Sequence, residues 1–554
     1  MTASKGFGID DVLNQSPPYQ DVDLFESDGA LRGAVAACGA GAQSAELSAF
    51  GRHWGTADMI EAGRLANENL PKLKTYDAKG YRRDVVEFHP AYHRLMEESI
   101  TAGLAAMTWW ADGTRAAAPA EVARAARYYM VAQVENGHMC PVTMTRAAVA
   151  TLAVEPGLAG TVLPKILARR YDPAARPWRE KSGMTLGMGM TERQGGTDVR
   201  ANTSRAQRVA DGYVINGHKW FLSAPMSDAF LVLAQLKDGA EDGLTCFLMP
   251  RVRPDGSLNG MRLQRLKDKL GNRSNASAEV EFADALAWRV GDPGRGVRTI
   301  IDMVQLTRLD CAIASAGLMR GALVQSLHHA RHRSVFGRVL ADQPLMRSVL
   351  GALALELESA VAAVMRLCRS FDLMATNTRE AARARLLTPV VKYWICKTAP
   401  AFVYEAMECL GGNGYVEESI LARYYREAPV NAIWEGSGNV VCLDVLRALA
   451  REPEQAAAML GDLKRETAGL PGAAEAVGGI EAMLGSSVLE ANARSLVERV
   501  ALLAATAACR ECAPAQVAEA FAAAHLVPSS TRTYGARPLA GADCALLLDR
   551  ALPA

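Results

Sequence analysis

An excess of charge of either sign is missing from this chain. Its 61 Lys and Arg residues nearly cancel 60 Asp and Glu over 554 positions. Net charge therefore gives no support to a nucleic-acid or membrane partner, and any basic patch has to be local. The opening Met1-Thr2-Ala3-Ser4-Lys5-Gly6 lacks the apolar core of a secretory signal. No apolar run reaches the roughly 18 residues that span a bilayer. The run from Val500 to Cys509 is short and lies next to charges. The 11 cysteines are scattered and odd in number, which reads as reduced, buried thiols in the cytosol. One CxxC pair, Cys509 and Cys512, lacks both a second pair for zinc and a neighbouring βαβ pattern for redox work, so it reads as structural. Rossmann and P-loop fingerprints are absent, and so is any convincing repeat. The expectation is a cytoplasmic protein with no membrane segment.

What is present is length and a mostly helical texture. A chain this long exceeds one core, so several domains are the default. Half its residues are hydrophobic, with frequent Leu and Ala. An N-terminal helical domain is expected over 1–183, including a helix at Glu121–Gln133. A β-domain follows over 184–292. Within it, Tyr213–Ile215 and His218–Leu222 flank Asn216-Gly217, a strong hairpin signal because both turn residues need positive φ. Phe230–Leu236 and Leu244–Met249 pair across a Lys-Asp-Gly loop, and Ala278–Phe282 alternates as a half-buried strand does. A second helical domain is expected over 293–450. Leu306, Leu309, Ile313, Ala316, Leu323, Leu327 and Ala330 form the stripe of one long helix, and further helices cover Pro344–Phe371 and Arg379–Leu410. Ala450-Arg451-Glu452-Pro453 marks a boundary. A C-terminal helical domain then fills 455–554, with an irregular stretch at Pro528–Ala542.

Three glycine-bearing segments carry the chemistry. Met188-Gly189-Met190-Thr191-Glu192-Arg193-Gln194-Gly195-Gly196-Thr197-Asp198 brings bare backbone and hydroxyls to the edge of a flat ligand, although Gly-Gly near Thr also makes plain turns. Leu410-Gly411-Gly412-Asn413-Gly414-Tyr415 ends a long helix, where glycine serves equally as a cap. In Ile433-Trp434-Glu435-Gly436-Ser437-Gly438-Asn439 a carboxylate sits beside a large aromatic. An apolar pocket would raise its pKa, as a general base requires; the plain alternative is helix capping, for which Ser437 and Asn439 are suited.

Together these segments resemble the acyl-CoA dehydrogenase family in order and spacing. Lys219-Trp220-Phe221-Leu222-Ser223, Thr307-Arg308 and Arg333-Ser334-Val335-Phe336-Gly337 fall on its landmarks, and the family resemblance covers about 184–447. Phe88–His93, Arg265–Ser277 and Ile433–Asp444 look like the adaptive-response (alkylation-response) branch of that family and extend the likeness to the N-terminal region. The resemblance implies a mostly α fold with a central β-barrel-like domain, FAD as cofactor and a homotetramer. It puts Met188, Met190, Thr191, Gly196 and Thr197 over the flavin ring, with Phe221, Leu222 and Ser223 against its other edge. Gly411 and Gly412 would lie along the cofactor, and Ile433, Trp434, Gly436, Ser437 and Asn439 would close over it. Arg333, Phe336 and Gln343 match positions that reach FAD across a dimer interface. Glu435 matches the base that takes the α-proton of an acyl-CoA. In one branch of the family the base stands at the position of Thr307, which cannot serve. The branch resemblance also implies weak dehydrogenase activity and double-stranded DNA binding through the C-terminal domain, with Arg447, Arg532 and Arg537 as cationic contacts. Against that, acidic residues outnumber basic ones beyond 455, and DNA affinity rests on cations. The alternative is dehydrogenation of a short or branched acyl-CoA with no DNA role.

Overall fold

The computed structural model describes residues 12–553, apart from 238–241, 487–488, 529–533 and 535–538. The first region is helical from Gly29–Ala37 to Pro156–Ile166. Its first helix starts where Asp28 accepts the Leu31 N–H at 2.9 Å, which satisfies a backbone donor the helix cannot. The expectation of helices alone up to 183 is corrected at one place. Strands β1 (Lys72–Tyr76) and β2 (Arg82–Glu87) form an antiparallel hairpin. It belongs physically to the β-domain: Val86 packs in that domain's core, and the Arg82 guanidinium donates to the Leu263 carbonyl at 2.9 Å.

The β-domain contains β3 (Leu186–Gly189), β4 (Arg205–Val209), β5 (Gly212–Ser223), β6 (Ala229–Leu236), β7 (Gly243–Pro250), β8 (Met261–Leu266) and β9 (Ser277–Val290). The order is β3-β6-β4-β5-β9-β7, and β7 pairs back onto β6, so the sheet closes on itself. Closure removes pairing edges. The β6–β7 hairpin is as expected, and its loop lies largely outside the described residues. The hairpin expected at Asn216-Gly217 does not form: β5 runs straight through. Gly217 takes φ +151° where the register with β9 slips, and a Cβ there would lie 2.6 Å from the Ser204 Cα. The glycine serves a bulge and a close backbone approach. The chain actually reverses between β4 and β5, where Val209 pairs with Gly212.

Ile301–His332 is one helix, buried nearly all round rather than along a stripe. It is packed by Ala120–Ala132, Met139–Leu152, Pro344–Leu373 and Thr378–Glu408. Its buried Asp310 takes the Arg124 fork through two bonds of 2.7 Å and Arg146 at 3.0 Å, and Arg146 also binds Glu121. Charges this deep persist only when paired and bonded. Pro344–Leu373 is long and apolar enough by composition to cross a membrane, contrary to the expectation, but 83% of its apolar window is buried inside the bundle.

The helices beyond Pro453 share this core rather than forming their own. Leu463, Val500, Leu503, Phe521 and Leu547 join the same cluster as Leu309 and Leu357. Trp394 meets Phe521 edge-on at 6.0 Å, Glu511 binds Arg366 at 2.8 Å, and Arg550 donates to Glu358 at 2.7 Å. The expected boundary is a corner at Pro453 between the helices Gly438–Arg451 and Pro453–Glu466. Most of the expected irregular stretch lies outside the described residues. The cysteines form no disulfide. Cys509 and Cys512 are buried helical residues, with the Cys512 sulfur 3.7 Å from that of Cys38. No metal-holding cluster occurs among the described residues.

Candidate active site

The turn before the Gly438–Arg451 helix carries Glu435 at φ +58°. That left-handed conformation costs a non-glycine residue about 1–3 kcal/mol unless its surroundings impose it. Here they do. The Arg308 Nε donates to the Glu435 carbonyl at 2.9 Å, while its Nη2 binds Asp444 at 2.6 Å. The Lys392 ammonium donates to the carbonyls of Trp434 at 3.0 Å and Gly436 at 2.6 Å. Three successive carbonyls are thus each held by a cation from a core helix. The Trp434 indole donates to Asn431 at 3.0 Å, and Asn431 to Ser315 at 3.1 Å. Burial pushes the Glu435 carboxyl up from the ordinary range, and the Thr307 hydroxyl, Arg308 and Lys392 pull back without cancelling it. Thr307, unable to act as a base, faces the one that can. Ser437 stands at the N-cap but its side chain makes no capping bond, so the plain capping reading is not realised and its exposed hydroxyl is available to a ligand.

Near the Glu435 turn lies the first turn of Met139–Leu152. Cys140 there faces Ser223, Asn275, Lys269 and Glu435, and burial pushes its thiol up to about 12, so it is a neutral group rather than a nucleophile. Lys269 is drawn down to about 8 by burial, with Cys140, Glu427 and Glu135 pulling it back up. Ser223 bonds Ser277 at 3.0 Å. Ser223 and Glu435 thus both lie beside Cys140.

The Met188–Asp198 loop is open to solvent from Arg193 to Asp198, with Met188, Met190 and Thr191 half-buried. Gly195 takes φ +145° with nothing within 4 Å of a built Cβ, whereas a Cβ on Gly196 would meet the Thr191 hydroxyl at 2.3 Å. Phe221 is exposed, under the Lys267 ammonium. Leu222 is the correction in this set: its side chain is fully buried in the β-core, because successive strand residues face opposite sides. Any ligand contact there has to come from its backbone. Gly411 adopts φ +58°, ψ −139°, a region essentially reserved for glycine, and both Gly411 and Gly412 are bare and exposed.

Arg333, Phe336 and Gln343 lie elsewhere, on and beside the short strands Ser334–Val335 and Arg338–Val339. Gln343 donates to the Val335 carbonyl at 3.1 Å, and Phe336 is fully exposed. Among the described residues no hydrogen bond joins this hairpin to the Glu435 turn. The N-terminal arm links it instead to the glycine turn: Asn14 accepts from Ser334 N–H at 2.7 Å and its carbonyl from Arg333 at 2.8 Å, while Asn413 donates to Gln15 at 2.9 Å.

Two constellations escaped the sequence reading. Ser99, His138 and Glu135 form a chain of hydrogen bonds of 2.8 and 2.7 Å. Ser99 and His138 are fully buried, so the row resembles a hydrolytic triad without access for substrate. Glu135 is a hub: burial opposes its charge, but bonds from His138 and Asn67 hold it at about 2. It also receives Ser274 at 2.8 Å. Asn272, from the same Arg265–Ser277 block, bonds Glu427. That distinctive block ties the β-domain to both helical regions.

The N-terminal residues 14–173 match the adaptive response protein AidB N-terminal domain, residues 187–285 the acyl-CoA dehydrogenase middle domain, and residues 294–450 the acyl-CoA dehydrogenase C-terminal domain. The putative acyl-CoA dehydrogenase AidB of Escherichia coli (strain K12) is 52% identical over 443 residues, 80% of each chain. The chain belongs to the acyl-CoA dehydrogenase family. Acyl-CoA dehydrogenase family member 11 of Caenorhabditis elegans is 32% identical over 78% of this chain and 72% of its own. The solved structure of Caenorhabditis elegans ACDH-11 in complex with C11-CoA superposes with TM-score 0.81 at 25% identity, covering all of this chain and 93% of that one. Family membership makes this an acyl-CoA dehydrogenase-type oxidoreductase with FAD as its cofactor. The residues present fit that group: bare, unobstructed glycines at 195, 411 and 412, an exposed Phe221 and exposed hydroxyls on Thr197 and Ser437.

Proposed function

We propose that the chain abstracts the α-proton of an acyl-CoA thioester with Glu435 as general base, giving the α,β-unsaturated product. The observation that carries this is a carboxyl, raised by burial, on a turn fixed by Arg308 and Lys392 and beside the Thr307 hydroxyl. A base works best when its pKa lies near the operating pH. Thr307 and the two cations keep the carboxylate reachable; Trp434 and Ile433 flank it with apolar surface. When bound, FAD supplies the acceptor for the β-hydride. The residues proposed to hold it are Met188, Met190, Thr191, Gly196, Thr197, Phe221, Ser223, Gly411, Gly412, Ser437 and Asn439, with Leu222 contributing backbone. An anaerobic panel of acyl-CoAs is the test. Bleaching of the flavin by at least one, lost in Glu435→Gln with FAD retained, is the expected result; a panel with no effect overturns the reading. Acid or heat denaturation should release the FAD into the supernatant, since no covalent link is expected.

The homotetramer expected from the family gains support from exposed apolar side chains: Phe336, Leu345 and Tyr415 are between 81% and 100% accessible. The unpaired cysteines support a reducing, cytoplasmic setting.

Duplex DNA is the second reading, supported by the 52% identity to AidB and the matched adaptive-response domain. Charge limits it. Arg447 is paired with Asp444 at 3.0 Å, and Arg532 and Arg537 lie outside the described residues. Lys464, Arg465 and Arg550 are paired with acids. Binding should be weak, indifferent to sequence and steeply reduced by salt. A gel shift at two salt concentrations decides it: no shift at low salt removes DNA from the account.

A further inference from the structure

We propose that Lys392 is a positioning residue for the catalytic base, holding the Glu435 backbone in its left-handed conformation and supplying the charge that complements the carboxylate. This rests on Glu435 being the base.

Lys392 is among the largest fully buried side chains, 1% exposed, in the middle of the Thr378–Glu408 helix. Its bonds go to the carbonyls immediately before and after Glu435, at 3.0 and 2.6 Å. Arg308 takes the carbonyl between them. The two cations differ in one respect. Arg308 has a carboxylate partner in Asp444. Among the described residues Lys392 has no ion-pair partner, and the charged group it acts on is Glu435. A buried ammonium without a counter-ion is costly, so a role confined to capping two carbonyls leaves the charge unexplained; a neutral donor would cap them as well. Complementing Glu435 in its ionised form explains both the bonds and the charge.

The groups facing Glu435 are few enough to assign an effect. From the Ile301–His332 helix come Thr307, Arg308 and the Cys311 thiol; from Met139–Leu152, the Cys140 thiol; from Thr378–Glu408, Lys392. The two thiols are held neutral by burial. Asp444 reaches Glu435 only through Arg308. Removing Lys392 therefore removes one of two nearby positive charges, and the carboxyl must hold its proton to higher pH. A base is active deprotonated, so the rate profile moves to alkaline pH.

The test uses FAD-loaded full-length protein: wild type, E435Q, K392M, K392Q and K392R. Flavin reduction by C11-CoA is followed anaerobically across pH and expressed per bound flavin. The oxidised flavin spectrum is titrated in parallel, the step missing in E435Q being that of Glu435. In K392M and K392Q the reduction rate should fall about 10- to 100-fold, the cost of a small misplacement of a reacting group. Their KM should stay within about twofold, and their pH midpoint should move up. K392R should keep the wild-type midpoint. A slowed rate with an unshifted midpoint overturns the proposal, as does a wild-type rate in the neutral variants. Loss of flavin from both neutral variants also overturns it, because the lysine then serves the cofactor. An E435Q protein that reduces its flavin at the wild-type rate, or lacks no titration step, sinks the assignment of the base instead, whatever the lysine variants do.

Discussion

Two glutamates in this molecule sit beside a buried lysine, and they are put to opposite uses. In the Met188–Asp198 loop, Glu192 receives the Lys219 ammonium directly on its carboxylate at 2.8 Å, with both side chains fully buried. Thr203, Ser204 and Gln194 complete its bonds. Burial works against the charge, but Lys219 together with the bonds from Thr203 and Gln194 outweighs it and holds the carboxyl far below its usual range. In the Ile433–Asn439 turn, Lys392 bonds the backbone on either side of Glu435 rather than its carboxylate. There burial wins and the carboxyl is raised. The same residue pair makes an anchor when the amine bonds the carboxylate, and the proposed base when it bonds the carbonyls.

The largest effect that tests this contrast is on catalysis. Glu435→Gln should lower flavin reduction by an acyl-CoA by about 10²–10⁴-fold, the usual contribution of a general base, while FAD stays bound. Glu192→Gln should not remove the reaction in any protein that folds. Retained activity in the first or a selective catalytic loss in the second would break the comparison.

Next comes stability. Lys219→Met strands Glu192 as a buried unpaired charge, at a cost of about 3–5 kcal/mol, read as a lowered Tm and loss of FAD on dilution. The pH dependences should also run in opposite directions. Glu192 has a depressed pKa, so its contribution is present above the unfolded carboxylate value and is lost only as pH falls through the lower folded value. Glu435 has a raised pKa, so its contribution is full below the unfolded value and fades as pH rises through the folded one. Unfolding of wild type, E192Q and E435Q across pH separates the two.

The smallest effect belongs to Ser437. An N-cap Ser to Ala change usually costs about 1 kcal/mol. Because Ser437 makes no capping bond, Ser437→Ala should change Tm very little and show itself in FAD affinity. A Tm loss of ordinary cap size would restore the capping reading.

Much of the site could be read from the sequence because it is local. The glycines at 195, 411 and 436, and Glu435 between Trp434 and Gly436, announce themselves by composition, as do the long helices by their periodicity. What could not be read depends on residues far apart in the chain. Lys392 and Arg308 are ordinary helix residues until the fold brings them to residues 434–436. Arg124, Arg146 and Asp310 likewise become a network only across three helices. Asn216-Gly217 misled because positive φ suits a bulge as well as a turn, and the deciding fact is the Ser204 backbone pressed against Gly217. Leu222 misled because a motif gives no strand face. The Arg265–Ser277 block helped to carry the family likeness, and its Asn272 and Ser274 turn out to fasten domains together.

The single core that runs from the first helix to the last has a consequence for how this chain can be divided. Cys512 lies against Cys38, and Arg550 reaches Glu358 and the Gly29 carbonyl. The end of the polypeptide is thus part of the scaffold that its beginning rests on. Evolutionary loss or laboratory removal of the last hundred residues would not pare the enzyme down to an ancestral catalytic body; it would peel an apolar wall off the bundle. The helical parts should then melt in one cooperative event, so that a lesion near either terminus is felt at the flavin cleft.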